Sequence, residues 1–225
     1  GAIVLIAAVM RVPATRMRGR NASDQTGQAG RADRAPSDRP TPSDALMYVI
    51  LLGAAALVTT WLVARELNTA DAISQTFDAV FHLNAVEWIL QTNNASSLRL
   101  FLEAPQGSVY PLGWHTAIAA AMRLCGATDI PLATNAMVLA VAGLVWTSGC
   151  LTLTHILFRG RPLALLTAAV MIGSFAAFPF LLLNWGVLYP NFLSIALLPS
   201  LLAAIRALVP IDGAGPAARP TGLLL

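Results

Sequence analysis

Residues 45–64 read ALMYVILLGAAALVTTWLVA, twenty residues without one Asp, Glu, Lys or Arg. As a helix rising about 1.5 Å per residue, such a run reaches about 30 Å, the thickness of a bilayer's hydrocarbon core. Backbone polar groups in hydrocarbon find no water to bond, so a crossing segment of this kind satisfies them internally, as a helix. Composition extends the reading to the whole chain: 56% of residues are hydrophobic and 11% charged, and the mean hydropathy is +0.67. Soluble domains carry about 25% charged residues. The fold class is therefore all-α, a polytopic helical membrane protein in contact with the lipid bilayer.

Outward from this span, residues 1–10 form an apolar run that reads as the end of another helix. Residues 11–44 hold seven Arg and four Asp among Pro, Gly, Ser and Thr, the make-up of a solvated, disordered linker. Ser43 or Asp44 would cap the first full span. Further spans are expected at about 131–158, 162–183 and 190–209, the last with Pro199 as the single break, and residues 210–225 lead into another span. Both ends read as cut, which makes the chain an internal piece of a longer protein. Together, 45–209 form one transmembrane module. Cys125 and Cys150 have neither a close partner nor a nearby His, so neither a disulfide nor a zinc site is suggested.

Residues 65–130 are a long polar stretch with two short helices, about 76–92 and 111–125. The second, PLGWHTAIAAAMRLC, covers only about 22 Å as a helix, short of a core of about 30 Å. Arginine placement decides whether it crosses, because short cytoplasmic loops collect basic residues. If it does not cross, the cytoplasmic segments hold eleven Arg and the outer ones three; if it does, the split is eight to six. The first arrangement is favoured. It makes 11–44 cytoplasmic and 65–130 extracytoplasmic in a multi-pass plasma-membrane protein. It also sets Trp61, Trp88, Tyr110, Trp114, Trp185 and Tyr189 on the outer side, where an aromatic belt is expected.

Within the outer stretch, QTFDAVFHLNAVEWIL (75–90) places Asp78 and His82 four apart on one helical face, with Glu87 to the side. Phe77, Val80, Phe81, Leu83, Val86, Ile89 and Leu90 supply an apolar surface, as in a helix lying on a leaflet. Its charges either face water or build a site with His115, Asn184 and Asn191. No Gly-rich phosphate loop, GxSxG, HExxH or CxxC is present. The Arg-rich linker is explained by topology, so no nucleic-acid partner is expected.

An Asp heading an outer juxtamembrane helix, the Tyr110-Pro111-Leu112 opening of a second helix, and LFRGRPLALLTAAV at 157–170 resemble the N-terminal module of GT-C glycosyltransferases. At finer grain, SQTFDAVFHLNAVEWILQTNNASSL and YPLGWH resemble an actinobacterial family of large multi-span membrane proteins without assigned activity. The first resemblance implies transfer of a sugar from a polyprenyl-phosphate donor to a glycan acceptor in cell-envelope assembly. It implies that Asp78 is a catalytic base or a ligand of a divalent metal cofactor. His82 would act with it, binding the donor phosphate or orienting the base. Glu87, Arg99, His115 and Asn191 would bind substrate. Many members carry a second carboxylate where this chain has Asn191, which weakens a two-carboxylate metal site. The alternatives are a transporter or flippase, or a non-catalytic membrane scaffold of the same fold.

Overall fold

The computed structural model describes residues 42–99, 109–159 and 161–209. Every regular element among them is helical. Four helices are long and apolar enough to cross a membrane: α1 (Pro42–Ala64), α4 (Ile130–Leu157), α5 (Pro162–Asn184) and α6 (Tyr189–Leu208). Two shorter ones, α2 (Ala79–Thr92) and α3 (Gly113–Cys125), lie between α1 and α4. The expected all-α, multi-pass class is thus what the chain adopts. The apolar run 1–10, most of the 11–44 linker and the segment 210–225 fall outside the described residues.

Helix starts have local causes. At α4 the Asp129 side chain accepts a hydrogen bond from the Leu132 N–H at 2.8 Å, with Pro131 in the first turn. Pro162 and Pro190 open α5 and α6, positions where a missing N–H costs nothing. Helix α1 begins at Pro42, so Ser43 and Asp44 occupy its first turn rather than the cap and the linker ends earlier than expected. At the positive end of the helix dipole, Asp44 is well placed there. Helix α3 stops at Gly126, whose φ of 68° suits glycine, and the Ala127 N–H reaches back to the Met122 carbonyl at 2.9 Å.

Asn135, buried in the second turn of α4, donates from Nδ2 to the carbonyls of Ala70 at 2.9 Å and Ala72 at 2.8 Å. The segment leaving α1 is thereby held beside the start of α4. The Tyr189 ring, at the start of α6, lies 5.0 Å from His82 and 4.8 Å from Trp114. The outgoing ends of α1 and α5 and the incoming ends of α4 and α6 therefore share one end of the bundle, and α2 and α3 cover it. At 13 residues, α3 reaches only about 20 Å and does not cross.

Helix α4 is the central strut. A Cβ at Gly143 would overlap Thr60 Oγ1 of α1, and one at Gly149 would stand 2.7 Å from Ser200 Oγ of α6. Small residues let helices approach closely where water supplies no driving force between them.

Two expectations are corrected. Pro199 is not the break: α6 is continuous through it. The interruptions are a π-helical segment at Val141–Trp146 in α4 and a non-helical stretch in α5, where helix ends at Met171 and Phe178 has φ −135° and ψ 131°. Proline at 179 has no N–H to continue the ladder. Nor do all the outer aromatics form a belt. Trp61 and Trp185 are exposed, whereas Trp114 and Tyr189 are buried, because their rings stack on each other at the covered end of the bundle.

Replacing Gly143 by Leu should destabilise the protein by about 1–3 kcal/mol through overpacking. Gly53→Ala, with nothing within 4 Å of the new methyl, should stay within about 0.5 kcal/mol of the parent. Thermal unfolding of the detergent-solubilised protein measures both.

Candidate functional site

Helix α2 turns Ala79, His82, Ala85, Val86 and Ile89 inward, the spacing of one helical stripe. That stripe packs on Trp114, His115, Ile118, Ala119 and Met122 of α3. Near the far end of α2, Arg123 donates from Nη2 to the carbonyls of Ile89 at 3.3 Å and Leu90 at 3.0 Å. Helix C-termini leave carbonyls without partners and carry negative dipole charge, so a guanidinium is well matched to this position. With His82 on His115 at one end and Arg123 on Leu90 at the other, the two helices run side by side in the same direction.

This packing reverses part of the expected orientation. Val86 and Ile89, expected on the membrane, face protein, while Phe77 and Val80 of the same surface stay exposed; of the two settings open to His82, water or a site with His115, its 3% exposure selects the second. The reason is a partner 33 residues away: His82 Nδ1 and His115 Nε2 lie 2.9 Å apart, in rings inclined by 24°. His115 is 0% exposed.

One of the two facing nitrogens donates the shared hydrogen and the other accepts it. His115 Nδ1 is buried with no hydrogen-bond partner. Burial lowers the basicity of His82, while Asp78 and Val187 oppose the shift. Burial, reinforced by His82, pushes His115 down to about 4. Desolvation disfavours the charged imidazolium, and only one added proton suits two nitrogens facing each other at this distance.

Aromatic rings enclose the pair. Tyr110 lies 5.9 Å from His115 and 4.8 Å from Phe81. On the other side a file of rings runs into the bundle: Tyr189 on Trp114, Trp114 on Phe192, Phe192 on Phe178, and Phe178 on Trp146 at 4.4 Å. It links the imidazoles to the irregular segments of α4 and α5. Val187 is buried at φ 47°, a left-handed conformation that β-branched residues avoid. Its carbonyl also accepts the Tyr189 N–H at 2.7 Å.

Asp78 occupies the N-cap position of α2, exposed, with no side-chain capping bond. Its charge acts on both His82 and Tyr110. Glu87 is half-buried and accepts from Gln91 Nε2 at 2.6 Å. Arg99 is exposed in the turn after α2, and Asn191 is exposed in the first turn of α6. The structure thus joins His82 to His115, with Asp78 one turn away, and brings none of the other three into contact with the pair among the described contacts. Among the described residues no three His, Cys, Asp or Glu side chains group as metal ligands. The two facing imidazole nitrogens are engaged with each other.

Trp114, Val187 and Tyr189 were not singled out for the site from sequence. Asn135 could have been, as a lone amide in an apolar helix whose polar groups need a partner.

The sequence matches a family of unknown function, DUF6541, over residues 1–225. The chain belongs to the DUF6541 family. No curated protein and no solved structure matches it.

In this DUF6541 protein the imidazole pair predicts a pH dependence of stability. Above the ordinary histidine value of 6.5, His115 is neutral whether folded or not. Between 6.5 and about 4 the unfolded chain takes up a proton that the folded one refuses. Stability is therefore full above that window and is lost as pH falls through it, at up to about 1.4 kcal/mol per pH unit. His115→Asn should flatten this slope while lowering stability near pH 7.5 by about 1–3 kcal/mol. Unfolding temperatures between pH 7.5 and 4.5 test it.

Proposed function

We propose that the protein transfers a sugar from a polyprenyl-phosphate donor at the outer face of the plasma membrane, in the assembly of cell-envelope glycans. The observation that carries this reading is an exposed carboxylate, Asp78, at the head of a helix that buries a hydrogen-bonded imidazole pair one turn on. Asp78 takes the proton of the acceptor hydroxyl as its oxygen attacks C1 of the sugar, and the bond from C1 to the phosphate oxygen breaks. A base within hydrogen-bond reach contributes about 10²- to 10⁴-fold. Of the two roles open to His82, orientation fits its burial, because a donor phosphate would reach the exposed Arg99 more readily. The eleven-to-three distribution of Arg supports placing the end covered by α2 and α3 outside.

A second reading, a transporter or flippase, is favoured by the interrupted α4 and α5, since broken helices line many transport sites. Against it, α4 and α5 carry no Asp, Glu, Lys or Arg. A non-catalytic scaffold draws its support from the neutral, exposed Asn191.

Asp78→Asn should lower lipid-linked sugar transfer at least about 10²-fold with expression and unfolding unchanged. Asp71→Asn, altering an exposed loop carboxylate that accepts from Thr69 Oγ1, should behave as the parent. If both variants match the parent, the scaffold reading gains; if donor crosses proteoliposomes without turnover, the flippase does.

Sidedness has its own test. In a background lacking Cys125 and Cys150, cysteine at Thr128 should react with an impermeant thiol reagent from outside, and cysteine at Arg161 should be protected. The opposite pattern would invert the topology.

A further inference from the structure

Phe77 is 100% exposed and Val80 62% exposed, on either side of the Asp78 carboxylate and the buried Ala79. In water, leaving large apolar side chains uncovered forgoes about 1.5–3 kcal/mol each. Ala79, between them in sequence, lines a small cavity of about 10 Å³. Ala79 and Leu83 of α2 line it together with Pro131 and Thr134 of α4 and Tyr189 of α6. Pro131 and Tyr189 belong to the first turns of membrane-crossing helices. The start of α2 therefore lies level with the bilayer boundary, not above it in solvent.

Asn135 fixes that level, because it holds the backbone of Ala70 and Ala72 against the second turn of α4. Trp61 and Trp185, exposed at the ends of α1 and α5 on this side, mark the same boundary, where amphipathic rings settle.

We infer that Phe77 and Val80 insert into the headgroup–acyl boundary of the surrounding lipid and so hold the Asp78 carboxylate at headgroup depth. The covering partner is phospholipid, continuous with the lipid around the exposed faces of α1 and α6. The contact stands on placement and exposure alone, and does not depend on the transferase reading.

Nitroxide labels on single cysteines at Phe77 and Val80 test it. The full chain, with Cys125 and Cys150 replaced by Ser, would be reconstituted in phosphatidylcholine–phosphatidylglycerol vesicles. Because Phe77 is wholly exposed, labelling it removes no packing. Leu57, exposed midway along α1, serves as the lipid reference, and Asp71, in an exposed loop, as the water reference. The ratio of collisions with oxygen to collisions with a polar nickel chelate should be several-fold higher at 77 and 80 than at 71, approaching that at 57. A ratio equal to that at 71 would place these side chains in water and overturn the inference. So would labels immobilised and shielded from both reagents, which would mean that protein covers them. Transfer activity enters neither readout, so failure here leaves the proposed chemistry to its own test.

Discussion

Hydrocarbon offers a backbone amide no hydrogen-bond partner, and this constraint sorts the chain into spans and everything else. Where the helical ladder runs unbroken, as in α1 and α6, side chains meet lipid directly and many large apolar groups are exposed. Where it is interrupted, the π segment of α4 is buried at Val141, Ala142 and Gly143, while in α5 Ile172, Phe178 and Pro179 are buried and residues 174–177 between them are exposed. Trp146 ties the two together: its Nε1–H donates to the carbonyl of Ile172, at the break in α5, at 3.2 Å. Gly143 and Gly149 then let α1 and α6 close on the middle of α4. The bundle is narrow there because two positions have no side chain.

At the covered end the same constraint acts on side chains. His82, His115 and Asn135 are buried polar groups, each of which is costly unless paired. Asn135 is satisfied by two loop carbonyls and Arg123 by two helix-end carbonyls, so these contacts fix how the loop after α1 and the end of α2 sit. The imidazole pair differs, because His115 Nδ1 has no hydrogen-bond partner. A rigid, apolar surround built by Tyr110, Trp114 and Tyr189 keeps both rings neutral near pH 7 and keeps Asp78 the exposed ionisable group of the cluster.

The aromatic file from His82 to Trp146 joins the covered end to both interrupted helices. The strained Val187 lies beside this route, its carbonyl accepting the Tyr189 N–H at 2.7 Å.

The sequence by itself determined the number and nearly the limits of the membrane-crossing helices among the described residues, because burial in lipid depends on local composition and on the rise of a helix. It also determined that 111–125 is too short to cross, and that a helix near Asp78 carries an apolar stripe. Only the tertiary structure decided what that stripe touches. Periodicity says which residues share a face but not whether lipid, water or α3 covers it, so His82 stayed open between water and a site with His115, and Trp114 and Tyr189 read as belt residues. Pro199 read as a break, yet the interruptions lie in α4 and α5. The His82–His115 hydrogen bond joins residues 33 apart in sequence, and no spacing rule reaches across an intervening loop. Its existence depends on the packing that excludes water from both rings.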